Sequence, residues 1–252
     1  MRPVVNPDWL AEHLGEVVVV DCRWTLGEPG AGRRAYKAGH IPGATHLDVD
    51  ADLSAPPDDG RHPLPDPDTF ARACARAGIG ARSRVVAYDE GHGGAARLWW
   101  LLRHFGHDHA FVLEGEWRGP LEPGAVDAAA PDPPFVPRPR EDDVATAEEI
   151  AAGDLDLVDA RAPERFRGER EPIDPVAGHI PGARNVPFTA SLDEIAREVG
   201  EGAVAYCGSG VTAARLVLAS EGRARLYPGG WSEWSGRGLP VETAIRPDRQ
   251  RR

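Results

Sequence analysis

Cysteine is scarce in this chain: Cys22, Cys74 and Cys207 are the three in 252 residues. The count is odd and no Cys-x-x-Cys pair occurs, which argues against a disulfide framework and a thiolate zinc site. No metal or cofactor is expected. Long apolar runs are missing too, since none reaches the ~18 residues that a membrane span needs. The opening residues, Met1-Arg2-Pro3-Val4-Val5-Asn6-Pro7-Asp8, lack the apolar core of a signal peptide. Positive charge is in deficit, with 29 Lys and Arg against 40 Asp and Glu and a net charge of −11. A nucleic-acid partner would need a basic face, so that class is set aside. These absences point to a cytoplasmic protein, where a lone thiol stays reduced. An anionic substrate would have to be met by local positive groups working against the field of the whole molecule.

What is present is ordinary for a globular chain, with 41% hydrophobic and 27% charged residues. The length allows one large domain or two of common size. The sequence favours two, because it repeats itself. Asp21-Cys22-Arg23 and Gly39-His40-Ile41-Pro42-Gly43-Ala44 in the first half return as Asp159-Ala160-Arg161 and Gly178-His179-Ile180-Pro181-Gly182-Ala183. The stretch starting at Ala87-Tyr88-Asp89 mirrors the one starting at Ala205-Tyr206-Cys207, and Gly115-Glu116-Trp117 mirrors Gly229-Gly230-Trp231. Two copies make a duplicated domain, whereas a solenoid needs more units. The first copy carries extra residues in a Pro/Asp-rich stretch, 53–68, which reads as a surface loop. A Pro-rich run at 123–142 reads as an extended linker between domains at 1–122 and 143–252.

Within each copy, short apolar runs alternate with helical patterns. Strands are expected at 17–21, 44–47, 84–88 and 110–113, then at 155–159, 184–186, 203–206 and 224–227. Helices are expected at 7–14, 68–77, 94–105, 146–152, 191–199 and 211–221, with Asp68 and Thr146 as N-caps. Alternation of this kind gives an α/β fold in which a mostly parallel sheet is flanked by helices, with ligands beyond the carboxyl ends of the strands.

Cys207 falls at such a strand end, in the loop Cys207-Gly208-Ser209-Gly210-Val211-Thr212. A thiol between a strand and a helix meets unpaired backbone N–H groups and the positive end of the helix dipole, both of which favour the thiolate. The glycines let the loop curl so that its N–H groups converge. The first copy has Asp89 at the cysteine's position. A carboxylate cannot do thiol chemistry, so the first domain is expected to be catalytically inactive.

Taken together, these motifs resemble the tandem-domain rhodanese family of sulfurtransferases across nearly the whole chain. The resemblance implies two rhodanese-like domains and a ping-pong reaction. Cys207 takes the outer sulfur of a small anionic donor as a persulfide and passes it to a thiophilic acceptor: cyanide, a thiol or a protein. The loop resembles that of the 3-mercaptopyruvate enzymes more than that of the thiosulfate enzymes, which carry basic side chains after the cysteine. On that resemblance Ser209 joins a proton relay and His40 assists it. Gly208, Gly210, Val211 and Thr212 bind through the loop, Arg165 binds the donor's carboxylate or sulfonate, and Trp24 lines the cleft. The chain departs from the family pattern at Ile173, where a second arginine is usual; Arg170 and Arg184 are the candidates to replace it.

Other features have plainer readings. Cys22 and Cys74 are packing residues. His40 and His179 share one motif, so fixing a turn is their first explanation. His104, His107 and His109 read as a solvated helix terminus, and Trp99 and Trp100 as core. Asp21 and Asp159 pair with loop N–H groups or with the following arginines. A cysteine phosphatase would need an arginine where Thr212 stands. A non-catalytic sulfur-relay or binding module is the remaining alternative.

Overall fold

The computed structural model describes residues 3–244. The outer ends of the expected domains, 1–2 and 245–252, lie outside the described residues. Two compact units form. One holds the chain up to Pro56 together with His62–Asp143, and the other holds Pro57–Arg61 together with the chain from Val144 onward. The Pro-rich run does not hang free. Phe135 meets Phe70 edge-on, and the Arg138 and Arg140 N–H groups bond the carbonyls of Phe105 and His104, all within the first unit.

The first unit runs β1 (Val4–Val5), α1 (Pro7–His13), β2 (Val18–Asp21), α2 (Ala31–Ala38), β3 (Thr45–His46), α3 (Pro67–Arg76), β4 (Val85–Tyr88), α4 (Gly94–His104), β5 (Ala110–Leu113). Its sheet has the order β1-β5-β4-β2-β3, and every pairing is parallel. The second unit runs α5 (Ala147–Ala151), β6 (Leu157–Asp159), α6 (Pro163–Phe166), β7 (Arg184–Asn185), α7 (Leu192–Glu198), β8 (Val204–Tyr206), α8 (Ala214–Ala219), β9 (Arg225–Leu226), α9 (Gly230–Gly236). Its parallel sheet has the order β7-β6-β8-β9. The central strands are Val-rich and buried on both faces, as strands covered by helices on either side must be.

Local chemistry sets most helix starts. Thr146 and Ser191 cap α5 and α7 in full capping boxes. At α3 the cap is Asp66, whose carboxylate accepts from the Thr69 N–H, with Pro67 at the first helical position. Asp68, the expected cap, sits inside the first turn, where an acid suits the dipole. The elements α2, α6, α9 and β1 were not anticipated. Helix α2 is mostly Ala, Arg and Lys and buries little beyond Tyr36, while α6 is a single turn. Helix α9 opens on a glycine and is held by burial of Trp231 and Trp234.

The repeated motifs prove to be one network. In the second unit Asp159 ends β6, fully buried, and accepts from the Arg161 guanidinium at 2.6 Å. Arg161 Nη2 also donates to the Gly178 carbonyl at 2.7 Å, tying down the Gly-His-Ile-Pro turn, and the Tyr206 hydroxyl accepts the Ile180 N–H. The first unit repeats this with Asp21, Arg23, Gly39, Tyr88 and Ile41. Burial pulls the Arg161 guanidinium toward neutrality, but Asp159 outweighs it and holds the charge more firmly than usual. Its carbon also lies 4.6 Å from the Trp231 ring centroid, a cation–π contact. Removing one partner of a buried pair strands the other. Arg161→Ala is therefore expected to cost about 3–5 kcal/mol in urea unfolding. Arg23→Ala should cost less, since the Arg23 side chain is 14% exposed.

Candidate active site

Strand β8 delivers Cys207 at its carboxyl end. The loop that follows is shaped by contact with the start of α9. Gly210 has φ +73°, and a Cβ there would fall 2.5 Å from the Pro228 carbonyl oxygen. Gly230 has φ +58°, and a Cβ on it would fall 2.6 Å from the Cys207 carbonyl oxygen. Only glycine meets both demands at each position. The Trp231 and Ser232 N–H groups donate to the Cys207 and Gly208 carbonyls at 2.7 and 2.9 Å. The loop carbonyls are thus taken up by α9. The N–H groups of Gly208, Val211, Thr212 and Ala213 have no acceptor among the described residues. Helix α8 starts at Ala214, not at 211. Tighter bonds from Ala214, Arg215 and Leu216 back to residues 211–213 bridge the gap, since left-handed Gly210 and β-branched Val211 and Thr212 delay the regular helix.

The counterpart loop in the first unit is closed. Asp89 accepts from the Gly91 N–H at 2.8 Å and from the Ala95 N–H at 3.1 Å. Ala95 corresponds to Ala213, so the Asp89 carboxylate fills a position that the Cys207 loop leaves open.

Cys207 is 2% exposed, yet its setting is polar. A Cβ on Gly208 would lie 3.8 Å from Arg165 Nη1 and Nη2, and 2.5 Å from Arg61 Nη2. Arg165, in α6, donates to Glu171 at 2.7 and 3.1 Å and to Asp174 at 3.2 Å. Glu171 also accepts from Arg161, and Asp174 accepts from Arg61. Burial alone would push the Glu171 carboxyl up. The hydrogen bonds from Arg165 and from the Asp174 and Ile173 N–H groups outweigh it and hold Glu171 below the usual carboxylate range. For Asp174 burial wins: its carboxyl is pushed up although Arg61 pulls it down, and the Glu171 charge adds to the rise.

The structure therefore gathers Cys207, Gly208, Ser209, Gly210, Val211, Thr212 and Arg165 in one place. His40 and Trp24 belong to the first unit. His40 is stacked on Tyr36; its Nδ1 faces the Tyr36 carbonyl at 2.9 Å and its Nε2 lies 3.3 Å from Glu122. His179 repeats this, stacked on Phe166, with Nδ1 2.7 Å from the Phe166 carbonyl and Nε2 3.8 Å from Glu242. These contacts are those of a ring fixing a turn. Trp24 is buried and meets His62 edge-on. Cys22 and Cys74 are fully buried, and burial raises both thiols well above their ordinary range, as suits packing residues. Of the histidines at and beyond the end of α4, His109 is exposed as a solvated terminus would have it, but His104 and His107 are buried, His104 on the Asp143 carboxylate at 2.8 Å and His107 on the Gly80 carbonyl at 3.2 Å. Among the described residues no cluster fit to hold a metal forms, and no helix is long and apolar enough to cross a membrane.

Sequence reasoning missed Arg61, Glu171 and Asp174. It also missed the His62–Asp50 pair of the first unit, whose Nε2 and Oδ1 are 2.9 Å apart. One signal was available: Arg61-His62 is a basic pair in an otherwise acidic, Pro-rich insertion.

The Rhodanese-like domain family profile matches residues 6–120 and 144–237. A Pseudomonas aeruginosa protein provisionally named a 3-mercaptopyruvate sulfurtransferase is 41% identical over 267 residues, covering 89% of this chain and 92% of its own. A Mycobacterium tuberculosis protein provisionally named a thiosulfate sulfurtransferase is 40% identical over 253 residues, covering 87% and 88%. The solved structure of the 3-mercaptopyruvate sulfurtransferase from Leishmania major is similar with a TM-score of 0.80 at 31% identity, over 94% of this chain and 75% of that one.

Glu171 supplies a pH test. A carboxyl held low in the folded state stabilises it above the unfolded value, about 4.3 for Glu, and loses that contribution as pH falls through the folded value. The Tm difference between the native protein and Glu171→Gln should be full above about pH 5 and shrink steadily below about pH 4. A gap that does not depend on pH would contradict this assignment.

Proposed function

The chain belongs to the rhodanese family of sulfurtransferases, and from that premise we propose that it moves a sulfane sulfur from 3-mercaptopyruvate to a thiophilic acceptor through a persulfide on Cys207. The observation that carries the reading is the contrast between two equivalent loops: one is filled by its own Asp89 carboxylate, and the other holds a thiol beside open amides.

The Cys207 thiolate attacks the sulfur of the donor. The S–S bond forms as the C–S bond breaks, and carbon leaves as the enolate of pyruvate, which takes up the proton from sulfur. With thiosulfate the same attack releases sulfite. In either case Cys207 is left as a persulfide anion. The open N–H groups of the loop suit that anion as an oxyanion hole suits an alkoxide. An acceptor such as cyanide then takes the outer sulfur as thiocyanate and restores the thiolate, so the cycle needs no external oxidant or reductant. Ser209, two residues on, is the hydroxyl placed by sequence to relay the proton. Arg165 receives the donor's carboxylate, because a guanidinium fork suits a planar anion.

The loop carries no basic side chain at 208–212, which favours the singly charged carboxylate donor over the thiosulfate dianion. Thiosulfate is the second reading, in keeping with the name of the Mycobacterium tuberculosis relative. A reducing cytoplasm suits a chain whose reactive thiol must stay unpaired. Small anions and thiols, or a protein thiol, are the partners this chemistry needs.

Incubation with 3-mercaptopyruvate should add ~32 Da to Cys207, the mass of one sulfur on the oxidation ladder of a thiol. Cys207→Ser should abolish both the adduct and thiocyanate formation; thiocyanate production by that variant would refute the assignment. With cyanide as acceptor, kcat/KM should be higher for 3-mercaptopyruvate than for thiosulfate. Loss of a charge-assisted contact in Arg165→Ala should raise KM about tenfold or more with a smaller change in kcat.

A further inference from the structure

The second unit neutralises its own cations before any substrate arrives. Three arginines form the chain of charge that leads to the Cys207 loop, and each has its own carboxylate: Arg161 has Asp159, Arg165 has Glu171 and Arg61 has Asp174. The other arginines near this stretch do not tip the balance, since Arg170 is exposed and Arg184 pairs with Asp156 at 2.9 Å. Exposed Ile173 adds no charge between Glu171 and Asp174, and Gly208-Ser209-Gly210-Val211-Thr212 adds none after the nucleophile.

Asp174 is the outermost carboxylate of the chain. One oxygen accepts from Arg61, and the other accepts from Arg165 Nη2 at 3.2 Å. Both guanidinium groups flank Gly208, the residue after Cys207. Each keeps an N–H group in hand: Arg165 Nη1 and Arg61 Nη2 have no acceptor among the described residues. The groups that face Asp174 are Arg61 from the segment Pro57–Arg61, Arg165 from α6 and Glu171 from its own loop. Its side chain is only 4% exposed, so its charge is weakly screened and acts on any anion that comes to those N–H groups.

We propose that Asp174 is a specificity-determining residue: its fixed charge leaves the site matched to a donor with one negative charge and repels the second charge of a dianion. Hydrogen-bond donors remain for a carboxylate, but the formal positive charge that thiosulfate needs is already cancelled. The proposal rests on the sulfur-transfer reading above and names what chooses between its two donors. Asp174 acts through its field and through the guanidinium groups it holds, without touching a reacting atom.

The test reads selectivity. With cyanide as acceptor, the ratio of kcat/KM for thiosulfate to kcat/KM for 3-mercaptopyruvate should rise about tenfold in Asp174→Asn, because a like charge is removed from beside the dianion. Asp174→Glu, which restores the charge, should stay within about threefold of the native ratio. A purely structural role would lower kcat/KM for both donors together and leave the ratio unmoved. Binding without turnover gives an independent reading. Sulfate and pyruvate, a dianion and a monoanion, should each protect Cys207 from iodoacetamide. The half-protecting concentration of sulfate relative to pyruvate should fall about tenfold in Asp174→Asn. In the native protein that relative concentration should rise from about pH 4 to about pH 8, because the buried carboxyl is neutral at the acid end and charged at the other. The pH series needs no variant, so it decides the matter if Asp174→Asn does not fold. A native protein that forms no persulfide from either donor would end the sulfur-transfer reading while leaving anion protection to report on Asp174. Ratios within about twofold of native in Asp174→Asn, in turnover and in protection, or a protection ratio constant across the pH series, would overturn the proposal.

Discussion

The buried pair of Asp159 and Arg161 is the contact on which the rest of the second unit depends. It ends the strand β6, holds the Gly-His-Ile-Pro turn through the Gly178 carbonyl, and supports Trp231 from below. From it a chain of alternating charge runs outward: Arg161 to Glu171, Glu171 to Arg165, Arg165 to Asp174, Asp174 to Arg61. Each link neutralises the one before it, which is how charges this poorly hydrated are tolerated. The chain ends with open guanidinium donors beside Gly208. A molecule with net charge −11 thereby presents local positive groups at one loop.

Duplication lets the two loops diverge without loss of fold. Both units keep the same Asp–Arg–carbonyl network, because that network closes the end of each sheet. What differs is the equivalent loop, Asp89-Glu90-Gly91-His92-Gly93-Gly94 in one unit and Cys207-Gly208-Ser209-Gly210-Val211-Thr212 in the other. With a carboxylate at 89 the loop satisfies two N–H groups from within, those of Gly91 and Ala95. With a thiol at 207 the Gly208, Val211, Thr212 and Ala213 N–H groups have no acceptor among the described residues.

The alternation of strands and helices, the duplication and the placing of Cys207 in a glycine loop at a strand end were legible from the sequence, because they rest on periodicity and on local glycine chemistry. Helices α2, α6 and α9 were not: α2 has good helix formers but is short and buries little beyond Tyr36, α6 is a single turn after a proline, and α9 has a poor helical composition and is held by tertiary burial. The cap at Asp66 was missed for Asp68 because both are acids beside a proline-marked start. Burial of His104 and His107 escaped notice because it depends on Asp143 and Gly80, which are distant in sequence. Arg165 was legible by resemblance. Arg61 was hidden by its setting, since a Pro/Asp-rich insertion reads as solvent-exposed loop, and composition does not say which body a loop will join.

That last point has a consequence for how this chain can be dissected. The gene's linear order and the protein's physical order disagree over five residues, Pro57–Arg61. A fragment cut at the apparent boundary near Val144 would carry the thiol, its amide ring and one guanidinium, and would leave the other behind on the discarded piece. The two halves are therefore not interchangeable cassettes: recombination at their junction would part the second unit from five residues that fold with it, which ties the inheritance of one copy to that of the other.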